Sequence, residues 1–312
     1  FININVPAFD AFKHGSAIPI VADARTALEE LTTELSKFKV SADYAKQIAD
    51  ENKQWDAIVD AAFIDQKLVK PSQSEIIGAV LAATDPRDVL VGAAGSLPGD
   101  LHKLWRVRDP LGYHMEYAFS CMGYEIAAGL GVARADSSRT PVVMMGDGSY
   151  LMMHTELVTA VAEGLKFIVV LVQNHGFASI GHLSESIGSQ RFGTQYRFHD
   201  APGNNFESGQ KLPVDLAANA ASLGIDVISI NESPSAIADL HAAVKKAKSS
   251  KTATLIHINS DPLLYSPGGE GWWDVPIAPI STLKSTQDAY KKYSEEITQQ
   301  RPLLGNGKKD KK

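Results

Sequence analysis

Val142-Val143-Met144-Met145-Gly146-Asp147-Gly148-Ser149 opens the stretch that decides the fold, and Gln173-Asn174-His175-Gly176-Phe177 closes it. Pro141 to Met145 is apolar and partly β-branched, the pattern of a buried strand. The run stops at Gly146-Asp147-Gly148-Ser149. Glycines on both sides of an acid allow a sharp turn and a close approach of backbone to ligand. Ser149 is expected to cap a helix that runs through His154, Glu156 and Val161 to Gly164. Phe167 to Val172 is a second strand-like run, ended by Asn174-His175-Gly176. Strand, acidic turn, helix, strand, amide turn predicts a βαβ unit with Asp147 and Asn174 at the carboxyl ends of its strands. Ligands bind at that edge of an open parallel sheet.

An aspartate and an asparagine placed there suit a hard divalent cation. Mg2+ takes about six oxygen ligands, often including phosphate oxygens of a bound substrate. Asp147 offers a carboxylate, Asn174 an amide oxygen and Gly176 a main-chain carbonyl. A helix starting near Ser149 would turn its N–H groups toward a diphosphate.

Gly146-Asp147-Gly148, then 25 residues (149–173), then Asn174, resembles the signature of the thiamine diphosphate enzymes. The resemblance implies an α/β fold: a parallel-sheet thiamine diphosphate-binding domain of the pyrophosphate type, with helices on both faces, preceded by the tail of a central Rossmann-like domain. It implies that Asp147, Asn174 and the Gly176 carbonyl hold Mg2+ on the cofactor's diphosphate, with Gly146, Gly148 and Ser149 beside it. In the family, the turn after the preceding strand also meets the diphosphate. Here that turn is Ala93 to Gly99, which makes Gly95 and Ser96 candidates. Cys121-Met122-Gly123, ahead of a small-residue helix, resembles the segment whose large apolar side chain wedges between the cofactor's rings. Met122 stands at that position, and a flexible thioether suits an irregular gap.

Composition sets outer bounds. The 312 residues are 44% hydrophobic and 21% charged, a soluble globular profile with room for one large domain and a smaller piece. A net charge of -6 argues against a nucleic-acid surface. The single cysteine, Cys121, excludes an internal disulfide and a cysteine metal cage, and fits a reducing cytoplasm. No apolar run approaches the ~20 residues of a membrane span. Gly129-Leu130-Gly131 lacks the third glycine of a dinucleotide fingerprint and falls inside a helical pattern, so no nicotinamide or flavin site is expected there.

Phe1 to Val6 alternates apolar and polar residues from the first position, which reads as the C-terminal portion of a longer polypeptide. Residues 1–35 resemble the end of a central domain, with Asp23 capping a helix. Residues 36–73 read as a linker helix with an apolar stripe that includes Tyr44, Trp55 and Phe63. Residues 74–262 form the diphosphate- and metal-binding domain. Residues 263–312 are a C-terminal extension in which Trp272-Trp273 is expected to pack, ending in a disordered charged tail from Lys308 to Lys312. Within residues 74–262, Ala178 to Thr194 is polar, glycine-rich and about the length of an active-site lid, and the loop continues to about Lys211 through Gly203, Asn204 and Asn205. His175 and His182 are the titratable candidates for proton transfer near neutral pH.

Within the family, Phe9-Asp10-Ala11-Phe12-Lys13-His14-Gly15, Leu97-Pro98-Gly99-Asp100-Leu101-His102-Lys103-Leu104-Trp105 and Trp272-Trp273-Asp274-Val275-Pro276 resemble a hydrolase branch. That branch implies ring opening of a small cyclic 1,2-diketone. The family's activating glutamate comes from an N-terminal domain, usually of a facing subunit in a homo-oligomer. Glu116 and Glu125 do not match its motif. This chain alone is therefore expected to bind cofactor weakly and to turn nothing over. The rival readings are an acetolactate-synthase-like carboligase or decarboxylase, and a non-catalytic interaction module.

Overall fold

The computed structural model describes residues 1–13, 16–200, 202, 208–268 and 274–300. The expectations for Gly203, Asn204, Asn205, Trp272-Trp273 and the Lys308–Lys312 tail lie outside those residues.

Two compact units divide the chain, Phe1–Gln54 with Asp274–Lys312, and Trp55–Trp273. In the first, β1 (Ile2–Asn5) leads through the short α1 (Ala8–Ala11) to β2 (Ile18–Val21), which pairs with it in parallel. Asp23 caps α2 (Ala24–Glu34) as its position predicts, accepting the Thr26 N–H at 3.0 Å. α3 (Ala42–Ala62) follows, its residues from Trp55 onward belonging to the second unit.

The second unit starts its main helix with a reciprocal cap. Ser72 accepts the Glu75 N–H while Glu75 accepts the Ser72 N–H, fixing the start of α4 (Gln73–Ala83). Then come β3 (Val89–Gly92), α5 (Ser96–Leu104), β4 (Tyr113–Met115), α6 (Tyr124–Ala135), β5 (Pro141–Gly146), α7 (Asp147–Met152), α8 (Glu156–Ala162), β6 (Ile168–Gln173) and α9 (Ala178–Ser186). α10 (Leu216–Ser222), β7 (Asp226–Ser229), α11 (Ala236–Ser249) and β8 (Thr254–Asn259) complete it. In the first unit, Lys284–Glu296 forms α12.

Six parallel strands stand in the order β4-β3-β5-β6-β8-β7. A parallel sheet is covered on both faces, so its central strands are apolar throughout. β5 and β6 are buried along nearly their whole length. Alternate side chains feed two cores. Val142, Met144, Val170 and Ile256 meet α4, α5 and α11, whereas Val143, Met145, Val169 and Leu255 meet α6, α8 and α10. From β3 the chain crosses to β4 on one side, and from β5 to β6 on the other. The gap between the carboxyl ends of β3 and β5 is therefore a topological switch point, where open α/β sheets leave a crevice.

Four local expectations are corrected, and one element is added. Helix α7 begins at Asp147 with Gly146 as its N-cap, so Ser149 lies in the first turn and caps nothing. The single helix expected to reach Gly164 is broken at Met153 (φ -156°), after which α8 starts at Glu156. The turn after β3 is shorter than expected because Ser96 already starts α5. Tyr113–Met115 is a strand, too short to show a period in the sequence, held by the β3 edge. The lid expected from Ala178 begins instead with helix α9. Its Gly181 is buried against Thr194 and Arg191, so that glycine serves close packing rather than looseness.

Candidate functional site

A cavity of about 320 Å3 occupies the switch point. Its wall comes from the ends of three neighbouring strands. The loop after β3 brings Gly95 and Ser96, β5 and α7 bring Gly146, Asp147, Gly148 and Ser149, and the turn after β6 brings Asn174 and Gly176. Met122, just before α6, closes another side. These are all the residues that the sequence places at cofactor and metal. The first turns of α5, α7 and α9 open onto this one space, through Ser96–Leu97, Asp147–Ser149 and Ala178–Ile180. Three helix first turns around one cavity suit an anion.

Asp147 is 1% exposed. It accepts the Gly148 N–H at 3.0 Å and the Gly176 N–H at 3.1 Å. Burial nevertheless pushes its carboxyl up to about 6, against the opposing pull of the Gly176, His175, Gly148 and Asn174 amides. A buried carboxylate paired with no cation among the described residues invites one. Asn174 supplies the second sign. The residue lines the same cavity, and its Oδ1 is buried with no hydrogen-bond partner among the described residues. A buried amide oxygen without a partner is uncommon and calls for a donor or a metal. The His175 carbonyl is used by the Tyr196 N–H at 2.9 Å, whereas none of the described backbone bonds outside helices and strands ends on the Gly176 carbonyl. Carboxylate, carboxamide and main-chain carbonyl are hard oxygen donors, the chemistry Mg2+ selects.

Gly176 is required by space. A Cβ there would stand 2.1 Å from the Thr194 carbonyl oxygen and 2.9 Å from the Gln195 Cα, both backbone atoms. Gly148 is permissive in another way. A Cβ would meet Met122 Cε at 3.0 Å and Phe177 Cε1 at 2.9 Å, so the bare glycine leaves these side chains room over α7.

The two histidines separate. His175 has φ 63° and is missing from the cavity wall. Its Nδ1 meets Gln173 Nε2 at 3.2 Å, and the Gln173 Oε1 meets His257 Nε2 at 2.6 Å. It faces a small space of about 20 Å3 behind Asn174. His175 thus stands beside the cavity rather than in its wall, and its candidacy for proton transfer rests on the sequence pattern alone. His182, on α9, lines a second cavity of about 570 Å3 that shares Gln73, Gly95, Ser96 and Asn174 with the first. Its ring lies 3.8 Å from that of Tyr265. The sequence alone does not bring Gln73, which accepts the Ser96 hydroxyl at 3.1 Å, or Glu125 to this site. Their signal in the sequence is a polar residue opening an otherwise apolar, buried helix.

Residues 93–258 match the family described as thiamine pyrophosphate enzyme, C-terminal TPP binding domain. The chain belongs to the thiamine pyrophosphate enzyme family. It is 34% identical over 325 aligned residues to a 3D-(3,5/4)-trihydroxycyclohexane-1,2-dione hydrolase of Bacillus cereus strain AH820, covering 96% of this chain and 50% of that protein. A hydrolase of the same name from another Bacillus cereus strain is 35% identical over 93% of this chain and 48% of its own length. The chain thus spans about half the length of the curated relatives it matches. Among solved structures, the thiamine diphosphate-dependent 4-hydroxybenzoylformate decarboxylase of Rhodococcus jostii RHA1 superposes with a TM-score of 0.51 at 16% identity, over 62% of this chain and 33% of that one. At that identity the likeness speaks for the fold. Among the described residues no helix is long and apolar enough to cross a membrane.

Proposed function

We propose that this chain is the metal- and cofactor-holding part of a thiamine diphosphate-dependent hydrolase that opens the ring of 3D-(3,5/4)-trihydroxycyclohexane-1,2-dione to 5-deoxy-glucuronate. One observation carries the cofactor half of the reading. Asn174, whose Oδ1 is buried and unpartnered among the described residues, and the buried Asp147 line one cavity onto which three helix N-termini open. The names of the relatives, matched along 96% of this chain, support the substrate half.

In this reading Asp147, Asn174 and the Gly176 carbonyl hold Mg2+. The first turns of α5, α7 and α9, with Gly95 and Ser96, would hold the diphosphate. Met122 would pack against the cofactor's rings. The bound cofactor supplies a carbon nucleophile and an electron sink for cleavage between two carbonyl carbons. His182, on the wall of the adjoining cavity, is the histidine placed to move protons to and from the substrate. Residues 74–262 are the cofactor domain and 1–35 the end of a central domain. An N-terminal domain, in a homo-oligomer, completes the site. The enzyme then acts in the cytoplasm, in inositol breakdown, where its single thiol, Cys121, is exposed without a partner.

The test is turnover by the complete gene product in its native assembly, with thiamine diphosphate and Mg2+. The cyclic diketone is expected to be hydrolysed and pyruvate to be left unchanged. Release of carbon dioxide or acetolactate from pyruvate, with the diketone untouched, would transfer the chain to the carboligases and decarboxylases.

A further inference from the structure

A carboxylate behind the cavity wall is bonded to two of the segments that form it and lies beside a third. Glu125 stands in the first turn of α6 and has no exposed surface. Its Oε2 accepts the Gly123 N–H at 2.9 Å and its Oε1 the Ala94 N–H at 3.4 Å. The Ser149 hydroxyl lies beside the same carboxylate and favours its charged form. Gly123 directly follows Met122, Ala94 precedes Gly95, and Ser149 lies two positions after Asp147. Ala94, Met122 and Ser149 all line the cavity, whereas Glu125 does not.

Helix capping alone does not account for this. A cap needs only the local Gly123 N–H, but Ala94 is 31 positions away on another strand end. Burial works against the charge and pushes the Glu125 carboxyl up, so an apolar residue would be the easier occupant of this place. The side chain does have one property the place can use. An ionised carboxylate only accepts hydrogen bonds, at both oxygens, and here donors arrive from separate segments.

We infer that Glu125 is a positioning residue for the cofactor: it sets the spacing between the β3 loop, the Met122 wedge and the first turn of α7. By engaging the Ala94 and Gly123 N–H groups, it also decides which amides remain to face the diphosphate. The inference rests on the proposed thiamine diphosphate site.

The experiment titrates thiamine diphosphate with Mg2+ into wild type, Glu125→Gln, Ser149→Ala, Met122→Ala and the Glu125→Gln/Met122→Ala double variant, each as the complete gene product. Glutamine has nearly the same shape but puts an NH2 where one donor must be received. Cofactor affinity is expected to fall about tenfold in Glu125→Gln and by a smaller factor in Ser149→Ala, which removes one donor and leaves the fold intact. If Glu125 acts through Met122, the double variant binds no more weakly than the worse single one, because neighbours in one linkage do not add. Unchanged affinity in Glu125→Gln, or strictly multiplicative losses in the double variant, would overturn the inference and leave Glu125 a helix cap. Should Glu125→Gln not fold, Ser149→Ala decides: undiminished affinity there overturns it. Wild type that binds no cofactor contradicts the proposed function, and this inference with it.

Discussion

The Gly176 N–H donates to Asp147 Oδ2 at 3.1 Å, fastening the turn after β6 to the carboxylate at the end of β5. One bond thus joins two of the three elements expected to share a metal ion, although 29 positions separate them in the chain.

Alanine at position 176 tests that joint. The 2.1 Å approach of its Cβ to the Thr194 carbonyl can be relieved only by moving backbone. Overpacking of this kind costs about 1–3 kcal/mol, toward the upper end where backbone must yield. Gly176→Ala is expected to lower the melting temperature and to abolish detectable Mg2+-dependent cofactor binding. A variant with wild-type stability and affinity would show that the turn is softer than its contacts indicate.

Asp147 gives a pH signature with a definite sign. Its folded, metal-free carboxyl keeps its proton up to about 6, above the ordinary 3.8. The folded state therefore binds more protons than the unfolded state across that interval. Its contribution to metal-free stability is full below about 3.8 and is lost as pH rises through about 6, on the order of 3 kcal/mol in all. Metal-free protein is expected to lose melting temperature between pH 4 and 6 at a slope that Asp147→Asn flattens. Mg2+ needs the charged form, so its affinity should fall about tenfold per pH unit below about 6. Parallel slopes in wild type and variant would show that another group titrates.

Gly148→Ala probes the space over α7. The atoms a Cβ would press are side-chain ends, Met122 Cε at 3.0 Å and Phe177 Cε1 at 2.9 Å. Those side chains can move, so the fold should survive with a loss of about 1 kcal/mol. Cofactor affinity should fall further than stability, because Met122 is displaced from its prop. Equal affinity to wild type would argue that Met122 is ordinary packing.

Ser72→Ala tests the reciprocal cap of α4. Removing the hydroxyl leaves the Glu75 N–H without its partner and should cost about 1 kcal/mol, read by chemical denaturation. Glu75→Ala should cost more, since that carboxylate also accepts the Gln66 N–H at 2.8 Å.

The parts of the molecule legible in the sequence are those written in short-range patterns. Buried parallel strands are continuous apolar runs, so Pro141–Met145 and Phe167–Val172 announce β5 and β6. Acidic and amide turns at their ends place Asp147 and Asn174 together without further information. Other features depend on partners distant in the chain. Tyr113–Met115 is a strand only because β3 offers an edge. Gly181 reads as flexible until Thr194 and Arg191 are seen against it. His175 sits two residues from Gln173, as sequence shows, but its link through Gln173 to His257 depends on a backbone angle and on the strand beyond β6. Glu125 reads in the sequence only as a mismatch to a motif, since its meaning lies in Ala94 and Ser149.

Calorimetric titration of thiamine diphosphate and Mg2+ into the complete gene product, wild type beside Asp147→Ala, tests the metal clamp most directly. Wild type is expected to bind the cofactor only with Mg2+ present, and Asp147→Ala to show no Mg2+-dependent binding while keeping its melting temperature within a few degrees. Equal, Mg2+-dependent affinity in the two proteins would contradict the assignment of Asp147 and Asn174 as the clamp.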